Sequence, residues 1–197
     1  MRNILSALFA SVLLACAGAA HAGIITYTAI LNGVSEAPPN ASPGTGFASV
    51  TINDILNTMR VQVTFSGLLG TVTASHIHCC TAPGAVTAVV ATTTPTFAGF
   101  PSGVTFGVYD QTLDLTLSSS YRAGYITESG GTTALAEAAL LAGMAQGKSY
   151  LNIHTTVFPG GEIRGFLTPV PEPTGFALLA LGGVMLLLAR RHRSYRS

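Results

Sequence analysis

Two histidines one residue apart, His76 and His78, run directly into Cys79 and Cys80, and no other stretch of the chain packs so much metal-binding and redox chemistry together. On a β-strand, side chains alternate between faces, so His76 and His78 share one face and Ile77 takes the other. The stretch Tyr150, Leu151, Asn152, Ile153, His154, Thr155 alternates in the same way, grouping Asn152 with His154 opposite Leu151 and Ile153. Glu162 and Arg164 are expected to share a face of the strand that follows. If these faces meet, His76, His78, His154 and Glu162 form a mixed nitrogen and oxygen set of the kind that zinc or copper takes. The favoured expectation is structural: the histidines bond to neighbouring carbonyls, and Glu162 and Arg164 form an ion pair that ties strands together. On that expectation the protein needs no cofactor, with zinc or copper as the alternative.

Cys79 and Cys80 are the only cysteines outside the N-terminal segment. In an oxidising compartment they should be bonded. A bridge between the two neighbours, clamping the loop towards Pro83 and Gly84, is the expectation. Two intermolecular bridges, or thiolates joining the histidines around a metal, are the alternatives. Thiol catalysis is not expected, because neither a Cys-X-X-Cys spacing nor a helix N-terminus accompanies the pair.

Other candidates carry less chemistry. Ser75 and the run Ser118, Ser119, Ser120 lack the strand-turn-helix setting of a serine nucleophile. Glu36, just before Pro38 and Pro39, reads as part of a turn at a strand end, since no second carboxylate can be placed beside it. The glycine-rich stretches have neither a phosphate-loop spacing nor a βαβ context. These exclusions point away from an enzyme.

The elements that must position these residues are strands. Short runs rich in Val, Ile, Thr and aromatics span 24–31, 47–52, 59–65, 74–78, 87–91, 105–109, 113–117, 150–155 and 163–167. Gly, Pro, Ser and Asn clusters separate most of them, which favours an all-β domain built as an antiparallel sandwich or Greek-key barrel. One short helix interrupts the strands, with Thr133 as cap, a body over 134–146 and Gly147 as its stop.

Both ends of the chain differ from its middle. Met1, Arg2 and Asn3 precede an apolar stretch over 4–17, and Ala20, His21, Ala22 form a small-residue cleavage site before Gly23, the pattern of a signal peptide over 1–22. At the other end, Val170, Pro171, Glu172 and Pro173 precede an apolar run over 174–189, followed by a basic tail over 190–197. Sixteen residues at about 1.5 Å each give roughly 24 Å, which tilt-free spanning with local bilayer thinning accommodates. The positive-inside rule keeps the tail cytoplasmic. Between Gly23 and Val170 there are four basic residues (Arg60, Arg122, Lys148, Arg164) and seven acidic ones (Glu36, Asp54, Asp110, Asp114, Glu128, Glu137, Glu162), a balance of −3 against +1 for the whole chain. A mildly acidic domain with so few cations has no footprint for nucleic acid.

Four resemblances follow from these residues. The C-terminal arrangement resembles the PEP-CTERM sorting signal of Gram-negative bacteria. It implies passage through the inner membrane, processing by signal peptidase and an exosortase, and arrival at the cell surface or in the extracellular matrix. Leu13, Leu14, Ala15, Cys16 is similar to a lipoprotein box, although the Ala-His-Ala site is better formed. Across 23–169, the stretches 31–39, 46–50, 74–78, 150–155 and 159–165 resemble the CHRD domain, named from chordin. That resemblance implies a non-enzymatic extracellular module that binds glycan, protein or itself. His-X-His strands are also found in cupins and in copper-zinc superoxide dismutase. Only the pair is similar here, so dismutase activity is not expected.

Overall fold

The computed structural model describes residues 23–81, 87–171 and 182. Among the described residues nine strands carry the fold: β1 (Ile24–Asn32), β2 (Thr45–Asn53), β3 (Thr58–Ser66), β4 (Val72–Cys79), β5 (Val89–Val90), β6 (Gly107–Asp114), β7 (Ser149–Thr155), β8 (Ile163–Phe166) and β9 (Thr168–Pro169). Between β6 and β7 lie a single 3-10 turn (Ser118–Ser120), a short helix α1 (Ala123–Glu128) and a longer one, α2 (Thr133–Ala145).

The strands form one antiparallel sheet in the order β5-β4-β7-β8-β1-β2-β3-β6, with β9 added alongside β1. In place of two stacked sheets, this sheet curls towards a half-barrel. The chain entering β6 at one edge reaches back to the start of β4 near the other: Val72 donates to the Val104 carbonyl at 2.9 Å, and Gly103 donates to Val72 at 2.9 Å. Long β1, β2 and β3 pair in unbroken register over nine residues each. Their alternation of buried and exposed positions, clearest in β3 as Met59, Val61, Val63 and Phe65, turns one face inward.

The core lies inside the curl, where Leu31, Ile52, Ile77, Leu151 and Ile163 are fully buried. Helix α2 closes it by inserting Ala136, Leu140 and Met144. Thr132 caps this helix through its side chain, accepting from Leu135 N, so the helix starts one residue before the expected body. Gly147, at φ +65°, supplies the expected stop. The stretch 113–117 does not continue as a strand. The Asp114 carboxylate accepts from Thr116 N at 2.8 Å and from its hydroxyl at 2.6 Å, turning the chain into the 3-10 segment.

Among the described residues no helix is long and apolar enough to cross a membrane. The expected signal peptide over 1–22, the apolar run over 174–189 apart from residue 182, and the basic tail over 190–197 lie outside the described residues, as do Glu172, Pro173, Pro83 and Gly84.

Candidate functional site: a histidine cluster on the outer face of the sheet

Strands β4 and β7 pair antiparallel, with His76 opposite Asn152, Ala74 opposite His154 and His78 opposite Tyr150. The neighbouring ladder sets Asn152 opposite Arg164 of β8. Because Ile77, Leu151 and Ile153 face the core, the alternation turns His76, His78, Asn152 and His154 to the other face. The sequence-derived grouping of three histidines is therefore brought together by strand pairing. Their ring centroids lie 4.8 Å apart for His76 and His154, 5.3 Å for His76 and His78, and 6.2 Å for His78 and His154.

Water reaches little of this face, where His76 and His78 are buried and His154 is half-buried. The segment after β5 runs along the free edge of β4, with Ala91 donating to Ile77 at 2.9 Å and Phe97 donating to Ser75 at 3.0 Å. Two carbonyls that flank β5 lie against the histidines: His76 Nε2 donates to Pro95, after the strand, at 2.9 Å and His78 Nδ1 to Ala88, just before it, at 2.8 Å. The turn after β7 supplies a third, as His154 Nδ1 donates to Pro159 at 2.8 Å. His76 and His78 are 7% and 8% exposed.

Each ring thus spends one nitrogen on a backbone carbonyl, which can only accept. In the neutral ring the other nitrogen must then carry a lone pair. Those nitrogens, His76 Nδ1, His78 Nε2 and His154 Nε2, are buried and have no hydrogen-bond partner. Donor atoms of the three rings lie within 4.8 Å of one another. Bonds of about 2.0–2.1 Å from nitrogen to zinc would ask for an inward adjustment of roughly 1 Å, within reach of ring rotation. Carbonyl-anchored imidazoles with their second nitrogens aimed at one point are the arrangement by which proteins orient metal-binding histidines.

Burial also keeps the rings neutral. His76 is pushed down to about 4, first by desolvation and then by the neighbouring His154 and His78. Desolvation likewise lowers His78 and His154. Arg164 also acts on the cluster and disfavours protonation of His78. Its guanidinium lies 4.7 Å from the Tyr150 ring centroid, and that ring stacks on His78 at 4.7 Å.

Glu162 is not brought to the histidines. β8 begins at Ile163, so Glu162 precedes the ladder and the alternation rule that grouped it with Arg164 does not reach it. Gly161, at φ +128°, turns the chain there. The Glu162 carboxylate points instead to the start of β4. It accepts from Ser42 Oγ at 2.6 Å, Leu69 N at 2.6 Å, Gly70 N at 3.1 Å and Thr155 Oγ1 at 2.6 Å. Burial raises its pKa, and those hydrogen bonds outweigh it, leaving the group below the usual carboxylate range. The carboxylate that faces Arg164 is Glu36, at 3.8 Å, and Arg164 also donates to the Ser35 carbonyl. Glu36, read from the sequence as a turn residue only, is 5% exposed and raised to about 7 by burial, against the pull of Arg164.

Cys79 and Cys80 are bonded to each other. Cys79 falls on the core side of β4, one step past His78, so its sulfur lies away from the histidines and against helix α2, near the Ala139 carbonyl. At the other end of the sheet, exposed Phe106 and Val108 border an open apolar groove with Phe47. Val170 and Pro171, the described half of the stretch that the sequence suggests as a sorting motif, follow β9, where Val170 donates to Thr26 at 2.8 Å.

The described residues form a curled antiparallel β domain, with loops roofing a buried polar cluster on its outer face. The chain belongs to the CHRD family: the family model described as the CHRD domain matches residues 27–167. Membership suggests an extracellular, non-enzymatic module. No curated protein and no solved structure matches the chain.

Proposed function

We propose that this protein is an exported CHRD module that holds one copper or zinc ion at His76, His78 and His154. The observation that carries the reading is the set of three buried imidazole nitrogens, each left without a partner while its ring is anchored through the other nitrogen. Purely structural histidines would satisfy both nitrogens or expose one to water. Neutral imidazole is a donor that suits copper and zinc, and copper binds more tightly than zinc at a given nitrogen site. The bound ion would act as a strong charge and cross-link between β4 and β7. No catalytic role is assigned to it.

Sorting completes the reading. Cleavage by signal peptidase before Gly23 and processing by an exosortase near Pro171, Glu172 and Pro173 would deliver the domain from the inner membrane to the cell surface or matrix. Support comes from the order of motif, apolar run and basic tail in the sequence. Replacing 171–173 by alanines is expected to leave export intact and to block C-terminal processing, read as a mass change of the mature protein. Unchanged processing would remove the exosortase from the account.

The deciding experiment for the metal is elemental analysis of the exported protein, purified from an oxidising periplasm without chelator, beside a His76→Ala/His154→Ala variant. One equivalent of copper or zinc, lost in the variant, is the expected result. A folded wild type that takes up neither ion leaves the second reading, recognition of glycan, protein or another copy of the chain.

A further inference from the structure

Asn152 occupies the centre of the histidine cluster. Its Cα pairs with His76 across β4 and with Arg164 across β8, and along β7 it stands two residues from His154 on the same face. In an antiparallel ladder the diagonal neighbour of Asn152 on that face is His78. One amide is therefore the direct or diagonal neighbour of all three rings. Asn152 is 2% exposed, and its Oδ1 is buried with no hydrogen-bond partner. The amide side chain lies close enough to both His76 and His78 to act on their protonation. Native proteins seldom leave a buried amide oxygen unpaired without a reason. Here a fourth electron-pair donor lies among three others, and one cation among them would satisfy all four at once.

We propose that Asn152 Oδ1 is the fourth protein donor of the metal site, closing the coordination shell as three nitrogens and one oxygen. This rests on the histidine reading above and extends it. A site with four protein donors holds its ion as structural sites do, whereas a site with three keeps a position for water or substrate. The proposal therefore assigns the ion to retention and cross-linking, and predicts no exchangeable position.

The test uses the exported protein loaded with Zn²⁺, Co²⁺ or Cu²⁺, beside Asn152→Leu, which keeps the volume without the oxygen, and Asn152→Asp, which keeps the oxygen and adds charge. Expected results are a zinc affinity lower by about tenfold or more in Asn152→Leu, with shifted cobalt absorption bands, and a higher affinity in Asn152→Asp. Added azide should leave the wild-type copper spectrum unchanged and perturb that of Asn152→Leu, where a position has opened. Wild-type affinity and an unchanged cobalt spectrum in folded Asn152→Leu would overturn the fourth donor and leave the three-histidine site standing. Should that variant not fold, an unchanged zinc affinity in Asn152→Asp would overturn it equally. A wild type that binds none of the three ions removes both readings together.

Discussion

Gly143 lies against both sulfurs of the Cys79–Cys80 bridge, so helix α2 seats on the end of β4 only because residue 143 lacks a side chain. Both sulfurs also approach the Ala139 carbonyl, one turn earlier on the same helix face. Gly143→Ala should therefore lower stability by about 1–3 kcal/mol through overpacking, although alanine is the better helix former. Chemical denaturation of the oxidised protein measures it. A stabilised variant would mean that the helix sits farther from the bridge than described.

Glu162 links three separate parts of the chain through one carboxylate: the loop before β2, the loop before β4 and the end of β7. Glu162→Gln keeps the shape but presents two donors where one acceptor oxygen stood, against partners that themselves donate. The expected loss is about 2–4 kcal/mol, since a buried charged acceptor is removed and donors are left unmatched. Its lowered pKa adds a pH signature: the stabilisation is full above the unfolded carboxylate value and is lost as pH falls through the folded one. Metal content of the folded fraction should not change, because Glu162 lies outside the cluster. A parallel loss of metal would place it back among the ligands.

What the sequence made legible was the part governed by local periodicity. The alternation in 74–78 and 150–155 placed His76, His78, Asn152 and His154 on one side because both stretches are regular ladder strands. The same rule failed at Glu162, which stands one residue outside its ladder, and three of the four residues that donate to it are 92 to 120 positions away in sequence. Glu36 was invisible as a partner of Arg164 for the same reason: the contact is made by a loop after β1 with a strand near the far end of the domain. The curl was equally hidden, because the bonds between Val72 and the chain at 103–104 depend on how the edges of the sheet approach each other. No pattern of polar and apolar residues encodes that approach.

The cap of α2 offers a sharp local test, because two adjacent threonines compete for the role. Thr132 has extended backbone and accepts from Leu135 N at 3.2 Å, whereas Thr133 is already helical. Thr132→Ala should cost about 1 kcal/mol, and Thr133→Ala little or nothing. Urea unfolding of the two single variants checks the assignment. Equal losses would mean that the two residues share the cap.

The pH dependence of the metal-free protein follows from groups that face one another across the outer sheet. His76 titrates at about 4 in the folded protein, against an ordinary value of 6.5, so between these values the unfolded chain binds a proton that the folded one refuses. Stability therefore falls as pH drops through that interval, and His78 and His154, both lowered, add to the slope. Glu36 opposes it. Raised to about 7 from 4.5, it holds a proton in the folded state that the unfolded chain releases, so its contribution falls as pH rises through that window. The Arg164 guanidinium penalises an added charge on His78. Three histidines outnumber one glutamate, and the net expectation is loss of stability from neutral pH down to about 4. The fall should be steeper in Glu36→Gln and shallower in His76→Gln. Urea midpoints of the chelator-treated protein across this range read the slopes directly. A flat profile, or a Glu36→Gln slope shallower than wild type, would contradict the protonation states that leave three nitrogen lone pairs free for an ion.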